Sequence, residues 1–368
     1  MGKASRRKQL KREVRPPVDI AESVAMLEEY MSVVESSIPR WVLKLDWMRQ
    51  DLPNVFPDCP AWCLLPIVAS CALVEVSGYA KPGTPLMFHP GANVGSWYAW
   101  VQSKSVWIFD PDLAASIIDT DMQGHLPVEL FYQLPEWAVY IQRPDIDPDE
   151  WPLAILGVLV HLDWNPDKRR GELRVSQCLH TGSGYSLPFN VSLALDTYTI
   201  TEMVDGILQE AWGDAVTKWK VDPQIASIGL EEAKHDEAYL RFISNVISFV
   251  LYICSTGADI ESPQDTTAVP KKQYRRQGHE GAPRQWNAGF RVSEALRRSR
   301  SEARDRSSSE SGHGKSPVSH LRRAHWHLYW TGEGSKTDPT KRIPKVKWIA
   351  PTLVGSQADL LPVAKRVH

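Results

Sequence analysis

The chain has 368 residues, of which 43% are hydrophobic, and its 42 Lys and Arg against 44 Asp and Glu leave a formal net charge of −2. That length suits one large or two medium domains with a sizeable core, and the near-balance of charge excludes reading a partner from the total alone. The total hides a segregation: residues 1–15 carry +6, residues 16–267 carry −21, residues 268–347 carry +12 and the last 21 residues carry +1. An acidic body with a basic arm and a basic C-terminal module points to a polyanion partner, most simply nucleic acid.

Residues 1–17 read as a disordered basic arm ending in Pro16-Pro17. No apolar run follows the arm as an export signal requires, and the Ser of "MGKASR" falls one place early for a myristoylation site. Ile20, Val24, Leu27, Met31 and Val34 fall at helical spacing and predict an amphipathic helix over 18–36. The apolar run 60–77 predicts a buried helix opening at Pro60. "DCPAWC" holds two of five cysteines (Cys59, Cys63, Cys71, Cys178, Cys254). No second CxxC follows, so these thiols are expected as small core residues in a reducing cytoplasm, with no metal or other cofactor.

Segments 105–110, 136–142, 155–164, 171–179 and 185–195 are β-rich and bounded by Pro, Gly and Asp. Their short spacing predicts an antiparallel meander. In "GELRVSQCL", Leu173, Val175 and Gln177 share one face, and Arg174, Ser176 and Cys178 the other. His161 and Asp163 share a strand face, where a buried His is expected rather than a His–carboxylate pair. "RPDIDPDEW" (143–151) reads as a solvated acidic loop and "HTGSGY" (180–185) as a turn. "TITE" (199–202) is a capping box that starts a helix. Another helix runs from about Leu230 to Cys254; its 13-residue apolar stretch 242–254 is too short and too interrupted by Ser and Asn to span a membrane.

The fold class is therefore α+β: an antiparallel sheet packed with helices, plus a small basic C-terminal α/β module. The divisions are a basic arm (1–17), an acidic body (18–256), a linker (257–288), the basic module (289–355) and a tail (356–368). Within the module a basic helix is expected from Val292 to Arg304, followed by two strand-like runs, "VSHLRRAHWHLYWTG" and "KVKWIAP".

"HLRRAHWHLYW" (320–330) carries the chemistry. As one strand it places Arg323, His325, His327 and Tyr329 on one face, and Arg322, Ala324, Trp326, Leu328 and Trp330 on the other. Four readings stay open. The strand is a hydrogen-bonded core element. It binds RNA by stacking and phosphate pairing. It cleaves RNA without metal, with His325 and His327 as acid and base, Arg323 on the phosphorane and Tyr329 beside them. Or His325 and His327 are two metal ligands, for which a third is missing on this strand. Arg322, Arg297, Arg298, Arg300, Lys345 and Lys347 are the expected phosphate contacts.

The blocks "LPEWAVYI", "LGVLVHLDW", "NVISFVLYICS", "GFRVSEALR" and "HLRRAHWHLYWTG…KVKWIAP", in this order, resemble the second family of type V-A anti-CRISPR proteins (AcrVA-two) and its relatives on plasmids and phages. The resemblance implies a cytoplasmic protein of a mobile element. It implies recognition of the N-terminal polypeptide of the effector nuclease, or of another target, as it is translated, followed by degradation of the message. The implied partners are that nascent polypeptide and the mRNA or ribosome, with no membrane. It supplies no catalytic residues. A metal-free ribonuclease and a DNA-binding plasmid regulator acting through the "VSEALRRSR" helix are the alternatives.

Overall fold

A computed structural model describes residues 20–82, 84, 89–121, 126–152, 154–181, 184–186, 190–197, 199–204, 206, 237–261, 283–298, 320–332, 337–338 and 341–354. The expected basic arm, Arg300, the end of the basic helix, the turn at 182–183 and the C-terminal tail lie outside these residues.

Four helices lead in: α1 (Ile20–Ser37), α2 (Trp41–Gln50), the short α3 (Leu52–Val55) and α4 (Ile67–Val76). Helix α4 starts at Ile67 rather than at Pro60, because residues 60–66 form turns with Pro60 and Pro66 at their ends. Helix α5 (Pro90–Ser103) runs into β1 (Ser105–Phe109). Then come α6 (Pro111–Ile118), a 3-10 helix (Val128–Gln133), β2 (Ala138–Gln142), β3 (Ile155–Asn165), β4 (Arg170–Thr181), β5 (Gly184–Ser186) and β6 (Asn190–Ala194). The capping box forms: Thr199 N donates to Glu202 Oε2 at 2.9 Å and Glu202 N to Thr199 Oγ1 at 3.2 Å. Helix α7 (Glu237–Cys254), β7 (Ile260–Glu261), β8 (Arg284–Ala288) and a helical run α8 (290–298) follow.

The main sheet has eight strands in the order β5-β4-β3-β2-β1-β8-β7, with β6 also on β4. From β2 through β6 it is the antiparallel meander expected from the sequence. Strand β1 departs from it by pairing parallel with both β2 and β8. The β1–β2 crossover carries α6 and the 3-10 helix, as a parallel connection requires. Strand β8 falls within the span 257–288 that read as a linker. It is held there by stacking of Trp107 on its register partner Trp286, 5.1 Å between ring centroids, and by the Arg284–Glu136 ion pair at 2.9 Å.

Both faces of the sheet are covered, which explains apolar runs such as "AVYI" and "ILGVLV" where a half-exposed strand would alternate. On one face Tyr140, Leu159 and Cys178 pack with Met26, Trp41, Val94 and Trp97 of α1, α2 and α5. On the other, Val139, Val158, Val160, Leu173 and Val175 pack with Leu113, Phe131, Val246 and Phe249 of α6, the 3-10 helix and α7. No helix among the described residues is long and apolar enough to cross a membrane. The five cysteines are free thiols, and Cys63, Cys178 and Cys254 are buried.

Gly289 opens α8 at φ +92°, and a Cβ there would drive into the Leu113 side chain. Glycine is therefore required by backbone and by space at once. Asp259 caps α8 from outside, its Oδ2 accepting from Arg291 N at 2.7 Å and Val292 N at 2.9 Å.

Candidate nucleic-acid interface

The C-terminal strands are β9 (His320–Arg322), β10 (His325–Thr331), β11 (Ile343–Ile349) and β12 (Thr352–Val354). "HLRRAHWHLYW" is thus not one strand. Residues 323–324 break it; β9 pairs with β12 and β10 with β11, all antiparallel. The break removes Arg323 from the row expected with His325, His327 and Tyr329. Arg323 stands exposed outside both strands, and its carbonyl lies 3.4 Å from His325 Nδ1.

Alternation within β10 and β11 is intact and divides the ribbon. Trp326 and Leu328 with Val346 and Trp348 face the body and join its larger core. Trp348 Nε1 donates to Thr120 Oγ1 at 3.0 Å, and its ring meets Tyr252 edge-on at 5.8 Å. Thr256 N donates to Val346 O at 2.7 Å, and Gln133 Nε2 to Pro344 O at 2.8 Å. The ribbon is therefore fastened flat to the ends of α6, α7 and the 3-10 helix. Trp330, at the far end of the same row, stays half exposed at 50%.

The opposite face carries His325, His327, Tyr329 and Thr331. Across the ladder stand Ile349, Lys347, Lys345 and Ile343 in that order. The His327 and Tyr329 rings lie 6.2 Å apart and are inclined by 24°. Lys347 is opposite His327 and Lys345 opposite Tyr329, so each ring has an ammonium as its direct cross-strand neighbour. Arg322 brings its Nη2 to 3.5 Å from His325 Nε2. Neither lysine has an ion-pair partner among the described residues. The structure thus brings together His325, His327, Tyr329, Lys345, Lys347 and Arg322. Ile343 and Ile349, which frame the face, were missed; the alternation of "IPKVKWI" was the signal that places Ile343, Lys345, Lys347 and Ile349 on one side.

The basic helix is engaged elsewhere. Arg297 pairs with Asp110 at 2.5 Å and Asp112 at 2.6 Å, tying α8 to the N-terminus of α6. Arg298 pairs with Glu294 one turn back. Arg297 is thus held by two carboxylates, while Arg298 stays largely exposed beside its single partner.

Metal-free cleavage requires each imidazole to be oriented for its role. Among the described residues no carboxylate stands beside either ring, and His327 is exposed. No group of three or more His, Cys, Asp or Glu there could hold a metal ion. What the face offers is cations and ring surfaces, which suit contact.

The His161/Asp163 pair forms something different. Asp163 Oδ2 accepts from Arg174 Nε at 3.0 Å, while its Oδ1 accepts from Ile67 N at 3.0 Å and so caps α4, whose own N-cap is a proline. Arg174 reaches Glu172 at 2.5 Å, and Glu172 also takes Arg170, Asn165 and Ser192. His161 lies buried across the ladder from Arg174, and its Nδ1 has no hydrogen-bond partner there. Burial, then the Arg174 charge, hold His161 down to about 3. Its depressed folded value favours the neutral ring, so that stability is complete above the unfolded value of about 6.5. It is lost as pH falls from there toward 3. Asp163, pushed up to about 6, and Glu136, pushed up to about 7, contribute with the opposite sign over the same range, so the His161 loss is read as a difference. His161→Gln should retain more of its denaturant midpoint than the parent between pH 6.5 and pH 4.5; an equal pH response would remove His161 from it.

The profile described as AcrVA2-like, anti-CRISPR type V subtype A2 family, matches residues 107–356. The chain belongs to this family. The matched span takes in most of β1, the rest of the sheet, α7 and both C-terminal ribbons, so family membership covers the elements that build the candidate face. It also makes the chain an anti-CRISPR protein of the type V-A class. The crystal structure of AcrVA2 is similar with a TM-score of 0.57 and 16% identity, over 90% of this chain and 98% of that one. At that identity the likeness speaks for the family fold alone. No curated protein matches the chain.

Proposed function

We propose that this anti-CRISPR protein acts on gene expression. It recognises the nascent N-terminal polypeptide of its target during translation and promotes degradation of the message. The observation that carries this reading is the outer face of the β10–β11 ribbon. Lys345, Lys347 and Arg322 gather there beside His325, His327 and Tyr329, on a body whose residues 16–267 carry −21. A protein that reads emerging peptide works beside the ribosome's polyanionic surface, and a cationic face on an acidic body orients it there.

The test is a reporter whose message abundance is measured with the target's first codons intact or frameshifted. Loss is expected only with the intact frame. Equal loss in both would overturn recognition of the peptide and favour a general ribonuclease. Retention of specific promoter DNA at physiological salt, with no message loss, would favour a DNA-binding regulator.

A further inference from the structure

We infer that the outer face of the β10–β11 ribbon is a platform for unpaired RNA, whose bases stack on His327 and Tyr329 while Lys345, Lys347 and Arg322 take the phosphates. The inference rests on the functional reading above and names the ligand of its RNA-facing surface.

Three features select single strands over duplexes. First, the exposed His327 ring and the half-buried Tyr329 ring occupy successive positions on one strand face, about 6.6 Å apart along the backbone. A duplex buries its base faces in its own stack and would leave these rings unused; an unpaired strand can splay bases onto them. Second, the apolar Ile343 and Ile349 frame the cationic centre. Duplex phosphates gain nothing from an exposed isoleucine, at 53% exposure for Ile343, whereas a base does. Third, an RNA duplex offers this ribbon no base edges, because the A-form major groove is too narrow for side chains to read. Here the opposite face is fastened to the core through Val346 and Trp348. What remains is the outer face, with two neighbouring rings and a lysine opposite each of them.

The measurement is fluorescence anisotropy of the full chain against a short unstructured RNA, the same sequence as a duplex, and the same sequence as single-stranded DNA. Unpaired RNA is expected to bind at least about tenfold tighter than the duplex, because only it offers base faces. Tyr329→Leu and His327→Leu should each lower affinity by roughly 5- to 10-fold with the salt dependence unchanged, since stacking releases no counterions. Tyr329→Phe should bind like the parent. The double variant Lys345→Gln/Lys347→Gln should instead reduce the slope of log affinity against log salt by about 1.4, two single-strand phosphate contacts. These side chains lie on the outer face, and unchanged thermal melting of each variant confirms that the fold is kept. Equal binding of the duplex, or indifference to Tyr329→Leu, would overturn the platform, as would displacement of RNA by the target's N-terminal peptide. The reporter separates this inference from the functional reading. RNA binding as described with no codon-dependent message loss leaves the platform standing and removes the function; codon-dependent loss with no RNA binding does the reverse.

Discussion

Replacing Arg174→Leu is expected to lower the stability of the fold by about 3–5 kcal/mol, the usual cost of leaving buried charges without their partner. Arg174 is 2% exposed and bridges Asp163 and Glu172, which are themselves 0% and 1% exposed. Burial pushes the Asp163 carboxyl up to about 6 even with Arg174 pulling it down. Burial alone would also raise Glu172; Arg174, Ser192, Asn165 and Arg170 together hold it at about 2. Without the guanidinium Asp163 rises further and Glu172 loses the contact that holds it down, so the pH response shifts. In the parent His161, and Glu172 below its unfolded value, lose stability on acidification, while Asp163 gains it as pH falls through about 6. The variant should gain stability between pH 7 and pH 5, because protonation removes its unpaired charges. Denaturant unfolding followed by tryptophan fluorescence reads both quantities. A variant also carrying Asp163→Asn and Glu172→Gln should regain much of the loss, since a set without charge needs no counterion. A single variant as stable as the parent, with the parent's pH response, would show that this cluster contributes little.

That cluster was written in the sequence but not legible there. Alternation in "GELRVSQCL" puts Arg174 beside Ser176 and Cys178, a face that reads as half polar. Only the ladder shows His161 opposite Arg174 and Asp163 opposite Glu172, beneath the N-terminus of α4. Features that depend on neighbouring residues were readable. They include the meander from β2 to β6, the capping box at Thr199, the buried helix ending at Cys254 and the two faces of the C-terminal ribbon. Features that depend on distant residues were not. Strand β8 lies on β1 although more than 170 residues separate them, and its Pro- and Gln-rich approach hid a strand. Arg297 looked like a free cation because its partners, Asp110 and Asp112, sit at the other end of that separation. At the candidate site, side-chain periodicity found the functional face but not the break at residues 323–324. The break exchanges Arg323 for Arg322 beside His325.

Reversing two charges on the ribbon, Lys345→Glu with Lys347→Glu, should abolish codon-dependent message loss while leaving the fold intact. Both side chains lie on the outer face; the residues between and beside them, Val346 and Trp348, point into the core and keep the ribbon in place. Each reversal removes one phosphate contact and adds a repulsion, so the pair should weaken RNA binding by about a hundredfold at moderate salt. That loss should shrink as salt rises and screening weakens the charge difference. Arg297→Glu is the matched control. It removes a cation that Asp110 and Asp112 already neutralise and should cost stability at the α6–α8 contact with little effect on RNA affinity. His325→Ala with His327→Ala completes the set. If the imidazoles only contact RNA, message loss should fall in step with affinity and recover at higher protein concentration. If instead decay stops while binding is kept, the two histidines are catalytic and the ribbon cuts the strand it holds. Message loss undiminished by the lysine reversals would remove the ribbon from the mechanism altogether.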